Sequence, residues 1–159
     1  TQGQTLDGTS KLRCGGVAVM ELYPNNNYLL RNMGKGILRL LIVELQVKCA
    51  EEKLKLACQS FWQPTRAGIW NHLASGKYGT APVTVCKNMD IYAVRLLLGQ
   101  RIHRSIAQGC RAYLLQAAGR ATVNEQKLRL YGVLEILGPC CLNLLADTAA
   151  HMVFIQLRE

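Results

Sequence analysis

Apolar residues recur three and four apart through the middle of the chain, at Leu98, Ile102, Ile106, Cys110, Tyr113 and Ala117. That spacing marks one face of an α-helix. It predicts a helix opened by Asp90, with Asn88 as the rival cap, and running to Gly119. On an ideal helix Arg101, Arg104, Gln108 and Arg111 fall within about 80° of one another, roughly opposite the apolar stripe.

The longest uninterrupted pattern is "ILRLLIVELQVKCAEEKLKLACQSFW", with no Gly or Pro from Ile37 to Trp62. It predicts a central core helix that Pro64 ends. "PTRAGIWNHLASGK" reads as a short helix with Pro64 in its first turn and Gly76 past its end. "TVNE" (122–125) matches a capping box, and a helix through Leu130, Leu134 and Leu137 is expected after it, broken at Gly138-Pro139. A last amphipathic segment carries Leu142, Leu145, Ala149 and Met152, although the tail "MVFIQL" also suits a strand. "GVAVMELYP" (16–24) fits strand or helix, and "YGTAPVTVCKN" (78–88) reads as loop or strand. The sum is an all-α fold: a single-domain bundle of four or five main helices with one irregular or short β stretch near 77–88. Residues 1–16 read as a flexible leader and 17–159 as one helical domain.

Composition supports this picture. At 159 residues, 50% hydrophobic and 18% charged, the chain can bury a core and is not a disordered sequence. Aromatic content of 6% beside abundant Leu and Ala suits packed helices. Seven cysteines without framework spacing, and no Asn-x-Ser/Thr sequon, point to an intracellular, reducing compartment. Most thiols are then expected to be buried small hydrophobes, with Cys49, Cys58 and Cys110 on inward helix faces and Cys14 as the reactive exception. The first dozen residues lack an apolar leader segment, while a start without Met leaves a removed leader open. "ILRLLIVELQV" is too short and too charged to span a bilayer, so no membrane span is expected.

Charge supplies the functional expectation. Net charge is +9, which favours acidic partners. Over residues 91–134, Arg95, Arg101, Arg104, Arg111, Arg120, Lys127 and Arg129 face Glu125 alone. With Gln108, they predict a non-enzymatic nucleic-acid-binding domain that contacts phosphates through an arginine-rich helix face. DNA and RNA are not distinguished. The alternative is a helical protein-interaction or oligomerisation module with incidental charge, in which "GPCCLNLLADTAAHMVFIQL" packs against a second copy.

Nothing names a reaction. The potential metal ligands Cys86, Cys110, Cys140, Cys141, His72, His103 and His151 show neither C-x2-C nor H-x3–5-H spacing, so no metal or cofactor is expected. Cys110 and His103 stand two helical turns apart, about 10 Å, too far for a thiolate–imidazolium pair. His72 beside Trp70 reads as a packing histidine. Adjacent Glu51-Glu52 cannot share a pocket, and "NMGKGI" lacks the phosphate-loop pattern. No catalytic residue is expected.

Overall fold

The computed structural model describes residues 2–5, 8–11, 16–20, 29–37, 39–44, 56–60, 67–85 and 88–158. It overturns the helical bundle: the regular structure among the described residues is β-strand throughout. No helix among them is long and apolar enough to cross a membrane. The chain divides into two compact units, Thr1–Gln63 and Pro64–Glu159.

In the first unit, β1 (Gln2–Thr5), β2 (Gly8–Lys11) and β4 (Leu29–Arg31) form an antiparallel sheet ordered β2-β1-β4, while β3 (Gly16–Met20) pairs with β5 (Leu56–Ser60). The expected central helix is absent where it can be seen. Residues 39–44 carry no helical hydrogen bonding, Leu40, Leu41, Ile42 and Val43 are exposed, and Cys58 lies in β5. The remainder of that expectation, residues 38, 45–55, 61 and 62, lies outside the described residues.

The second unit is a β-sandwich. Its strands are β6 (Asn71–Ser75), β7 (Val83–Thr84), β8 (Met89–Leu96), β9 (Arg101–Ile106), β10 (Cys110–Ala118), β11 (Ala121–Val123), β12 (Gln126–Leu128), β13 (Val133–Leu137), β14 (Cys140–Ala146) and β15 (Ala150–Arg158). One sheet is ordered β13-β10-β15-β8-β6-β7 and the other β12-β11-β14-β9. Asn71–Ser75 is thus a strand where the sequence pattern predicts a short helix.

Glycines explain why the predicted 90–119 helix is three strands. Gly99, Gly109 and Gly119 have φ of +77°, +72° and +72°, a left-handed backbone that ends a helix and turns a strand. They recur every ten residues, the rhythm of an all-β domain. Between them the side chains alternate. Tyr92, Val94 and Leu96 face the interior from β8, Ile102, Arg104 and Ile106 from β9, and Ala112, Leu114 and Gln116 from β10. The spacing of three and four comes from splicing two strands and a turn into one pattern.

The capping box is also corrected. Thr122 lies in β11, and Asn124-Glu125 form the two-residue turn of the β11–β12 hairpin, with φ of 43° and 69°. Two successive positive φ values match the twist of the flanking strands. The region expected to be helical through Leu130, Leu134 and Leu137 is a turn followed by β13, and the final amphipathic segment is the β14–β15 hairpin.

The core lies between the two sheets. Val94, Leu96, Leu114, Met152 and Phe154 meet Ile106, Ala121, Val123, Leu142, Leu144 and Ala146, all buried in one cluster. Truncating such a residue as Leu114 or Leu144 to Ala removes about 2–5 kcal/mol.

Candidate functional site

A row of side chains crosses the inner face of the larger sheet. His72 on β6 stands opposite Tyr92 on β8, Tyr92 opposite Phe154 on β15, and Phe154 opposite Leu114 on β10. Phe154 and Leu114 are fully buried, whereas His72 and Tyr92 are half-buried although they point inward. Trp70, just before β6, and Arg104, from the facing sheet, are half-buried too. The four half-buried residues meet at one edge of the sandwich interior, here called its mouth.

Rings and charges are layered at this mouth. The His72 imidazole stacks on Tyr92 with centroids 4.3 Å apart and planes 10° from parallel. The Arg104 guanidinium carbon lies 3.7 Å from the Tyr92 ring centre, 4.7 Å from that of Phe154 and 5.2 Å from that of Trp70. Two groups this close to one centroid would overlap on the same face, so imidazole and guanidinium occupy opposite faces of Tyr92. A desolvated cation over an aromatic face contributes about 2 kcal/mol. Behind His72, the buried carboxylate of Asp90 accepts from His72 Nε2 at 2.9 Å and, through its other oxygen, from Arg158 Nη2. Among the described residues, two buried donors have no acceptor, Arg104 Nε and Trp70 Nε1.

The arginine stripe does not exist as one surface. Arg101 and Arg104 point to opposite faces of β9, the first to solvent and the second into the mouth. Gln108 sits in the Ala107–Cys110 turn. Arg111 lies on the outer face of the larger sheet, with Nη1 3.3 Å from Glu135 Oε1, which also accepts from the Tyr113 hydroxyl at 3.0 Å. Arg95 faces outward from β8 opposite His151, Arg120 and Arg129 are exposed in turns, and Lys127 is exposed on β12. These residues spread over both sheets and their corners. With no helix among the described residues to carry them and the charges dispersed, the helical nucleic-acid-binding domain is ruled out.

Sequence reasoning misses the mouth because it takes Asp90 for a helix cap and Tyr92 for part of a helical turn. The usable signal is the alternation in "MDIYAVRL" and "HMVFIQL", which puts Asp90 beside Tyr92 and Met152 beside Phe154 on one face each. Nothing local foretells that Arg158 reaches Asp90.

Elsewhere the outer face of the smaller sheet forms a shallow concavity of mixed polarity with Arg101, His103, Thr122, Asn124, Cys141 and Asn143 in its lining. Partial desolvation, reinforced by the neighbouring Arg95 guanidinium, holds His151 below the ordinary imidazole value of 6.5, although the residue is exposed on the outer face of the sheet. Cys110 and Cys140 are half-buried and Cys141 exposed, all three as free thiols. Cys14, Cys49 and Cys86 lie outside the described residues. Among the described residues no three His, Cys, Asp or Glu side chains converge on a point where a metal ion would sit.

This architecture recurs in solved structures. A bacterial pirin from Escherichia coli, determined in complex with nickel(II), superposes with a TM-score of 0.59 at 18% identity, covering 67% of this chain and 44% of that one. A quercetin 2,3-dioxygenase from Acinetobacter baumannii gives 0.55 at 14% identity, covering 66% and 40%. The YhaK protein from Escherichia coli gives 0.51 at 15%, covering 67% and 46%. The chain thus spans less than half the length of these structures, and at such identities they establish the fold alone. No curated protein matches the sequence. Residues 72–157, more than half of the chain, match the quercetinase C-terminal cupin domain, and the chain belongs to that family.

Proposed function

We propose that the Pro64–Glu159 unit is a cupin lobe that binds and supports rather than one that carries metal chemistry. The observation behind this reading is the make-up of its mouth. A cupin invites a metal ion held by imidazole and carboxylate groups, and the imidazole and carboxylate here are His72 and Asp90. Both oxygens of Asp90 are engaged, by His72 and by Arg158. A second cation, Arg104, lies across Tyr92. A divalent ion would find two donors already bonded to each other and two guanidinium groups to repel it. The donor set does not fit the metal.

The nickel(II) of the Escherichia coli pirin and the dioxygenase activity of the Acinetobacter baumannii enzyme are properties of those proteins. Under this reading, comparable chemistry in a protein containing this lobe would come from residues outside its described part. Calorimetric titration of the purified chain with nickel(II), manganese(II) and iron(II), alongside His72→Ala, tests the reading. We expect no metal binding that depends on His72. One equivalent of metal bound by the parent chain and lost in His72→Ala would overturn it.

The free thiols Cys110, Cys140 and Cys141 support an intracellular location. Self-association is the accompanying expectation for partners, with light scattering at two salt concentrations as its readout.

A further inference from the structure

The larger sheet ends in an open edge. Among the described residues β13 has β10 as its one neighbour. Gly138 N donates to Cys110 O at 2.9 Å, and Gln116 N donates to Gly132 O at 3.0 Å. Bonded and non-bonded pairs alternate along an antiparallel ladder. The register between those two bonds makes Ala112–Ile136 and Leu114–Leu134 the bonded pairs. The backbone N–H and C=O groups of Val133, Glu135 and Leu137 therefore point away from β10, and no turn or loop among the described residues bonds to them. The side chains of the same three residues are exposed on the outer face, Val133 at 58% and Leu137 at 65%.

The other edges of this sandwich are defended. β7 is two residues long, β12 carries Lys127, and β9 carries Arg101 and Arg104. Short strands and cations discourage strand pairing. In β13 the one charge, Glu135, is matched within its own sheet by Arg111, 3.3 Å away. An apolar edge with its charge neutralised, and with no Lys, Arg or Pro of its own, is one that takes a partner strand.

We infer that β13 pairs antiparallel with β13 of a second copy about a two-fold axis at Glu135, extending the larger sheet across both chains. The strand is complementary to itself in that register. Val133 stands opposite Leu137 of the second copy and Glu135 opposite its own counterpart. Each outward backbone group of one chain then meets one of the other, and both apolar ends are covered. The two glutamates each keep their Arg111, which balances charge at the axis. A slip by two residues sets Glu135 against an apolar residue instead. One short strand pair buries less than a standard interface, so the dissociation constant is expected on the order of 10 µM. The inference rests on the expectation that the chain self-associates, and the two can be told apart.

Sedimentation of the whole chain over a concentration series, with hydrogen exchange at individual amides, tests it. We expect a monomer–dimer equilibrium in which the Val133, Glu135 and Leu137 amides exchange freely when dilute. At about ten times the dissociation constant, where roughly a fifth of the chains remain single, they should exchange about fivefold more slowly. Val133→Lys should weaken association about tenfold, because the symmetric interface loses the Val133–Leu137 contact twice. Val133→Pro removes an outward N–H without touching the ladder to β10 and should act in the same direction. The melting temperature of each variant shows that it is folded. A chain that stays monomeric throughout would overturn this inference and the self-association expectation together. A dimer whose three amides stay unprotected, or that survives both variants, would overturn this inference alone. Protection already present in the monomer would also overturn it, since another segment would then hold the edge.

Discussion

Asp90 and Arg158 lie 68 residues apart in sequence, and their side chains are joined by an ion pair at the mouth of the sandwich. Asp90 is 6% exposed and Arg158 54% exposed, so the carboxylate is the group that depends on the pair. Removing the cation leaves a buried anion with His72 as its remaining partner. Arg158→Met should therefore cost about 2 kcal/mol of unfolding free energy, measured by urea denaturation. Substituting the exposed Arg129 the same way should change stability by less than about 0.5 kcal/mol. Equal effects would show that the pair is not formed.

The β11–β12 turn gives a prediction of the opposite sign. Glu125 has φ of 69° with no glycine to ease it. Glu125→Gly should stabilise the protein by about 0.5–1 kcal/mol. Asn124 also has positive φ, and its side chain accepts from Asn143 N at 2.8 Å and donates to Cys141 O at 3.1 Å. Asn124→Ala should cost about 1–2 kcal/mol. A shift of the denaturation midpoint in each direction checks both.

Gly119 is the most constrained corner. Its φ is +72°, and a Cβ there would lie 1.9 Å from the carbonyl oxygen of Ala149. Gly119→Ala must move the β14–β15 turn away from the end of β10, at a cost of about 3 kcal/mol or more. Gly99 also has positive φ, but a Cβ there would meet no atom within 4 Å. Gly99→Ala should cost only the backbone strain, about 1–2 kcal/mol. Soluble yield and thermal melting of the two variants provide the comparison.

How far the sequence carries the fold turns on these glycines. Inside-outside alternation and corner glycines at 99, 109 and 119 are both present, and weighting them above the spacing of Leu98, Ile102, Ile106 and Cys110 would produce strands. Low aromatic content and abundant leucine argue for helices only when intrinsic preference is read without context. Tertiary pairing overrides it. Arg104 is visible as a basic residue, but its direction depends on the strand period, and a one-residue change of face separates it from Arg101. The Asp90–Arg158 pair joins β8 to the end of β15 and has no local signature.

His151 gives the pH dependence. Partial desolvation first, and the Arg95 guanidinium second, hold its folded-state value below 6.5, an effect that solvent keeps small because the residue is exposed. The unfolded chain therefore takes up the proton more readily than the folded one. Stability is fully present above pH about 6.5 and declines as pH falls from there toward the lower folded value. His151→Gln should flatten that part of the stability profile, and Arg95→Gln should reduce its slope, both read by denaturant titration across roughly pH 5 to 8.

A guanidinium packed on aromatic rings fills the mouth of this cupin lobe. The most direct measurement of that arrangement is a proton NOE spectrum of the isotopically labelled chain, read at the Arg104 side chain. Cross-peaks are expected from the Arg104 δ and ε protons to the Tyr92 and Trp70 rings, with the δ protons displaced upfield by ring currents and returned part of the way to ordinary positions in Tyr92→Leu, where Phe154 and Trp70 remain. An Arg104 side chain with unperturbed shifts and no cross-peaks to either ring would contradict it.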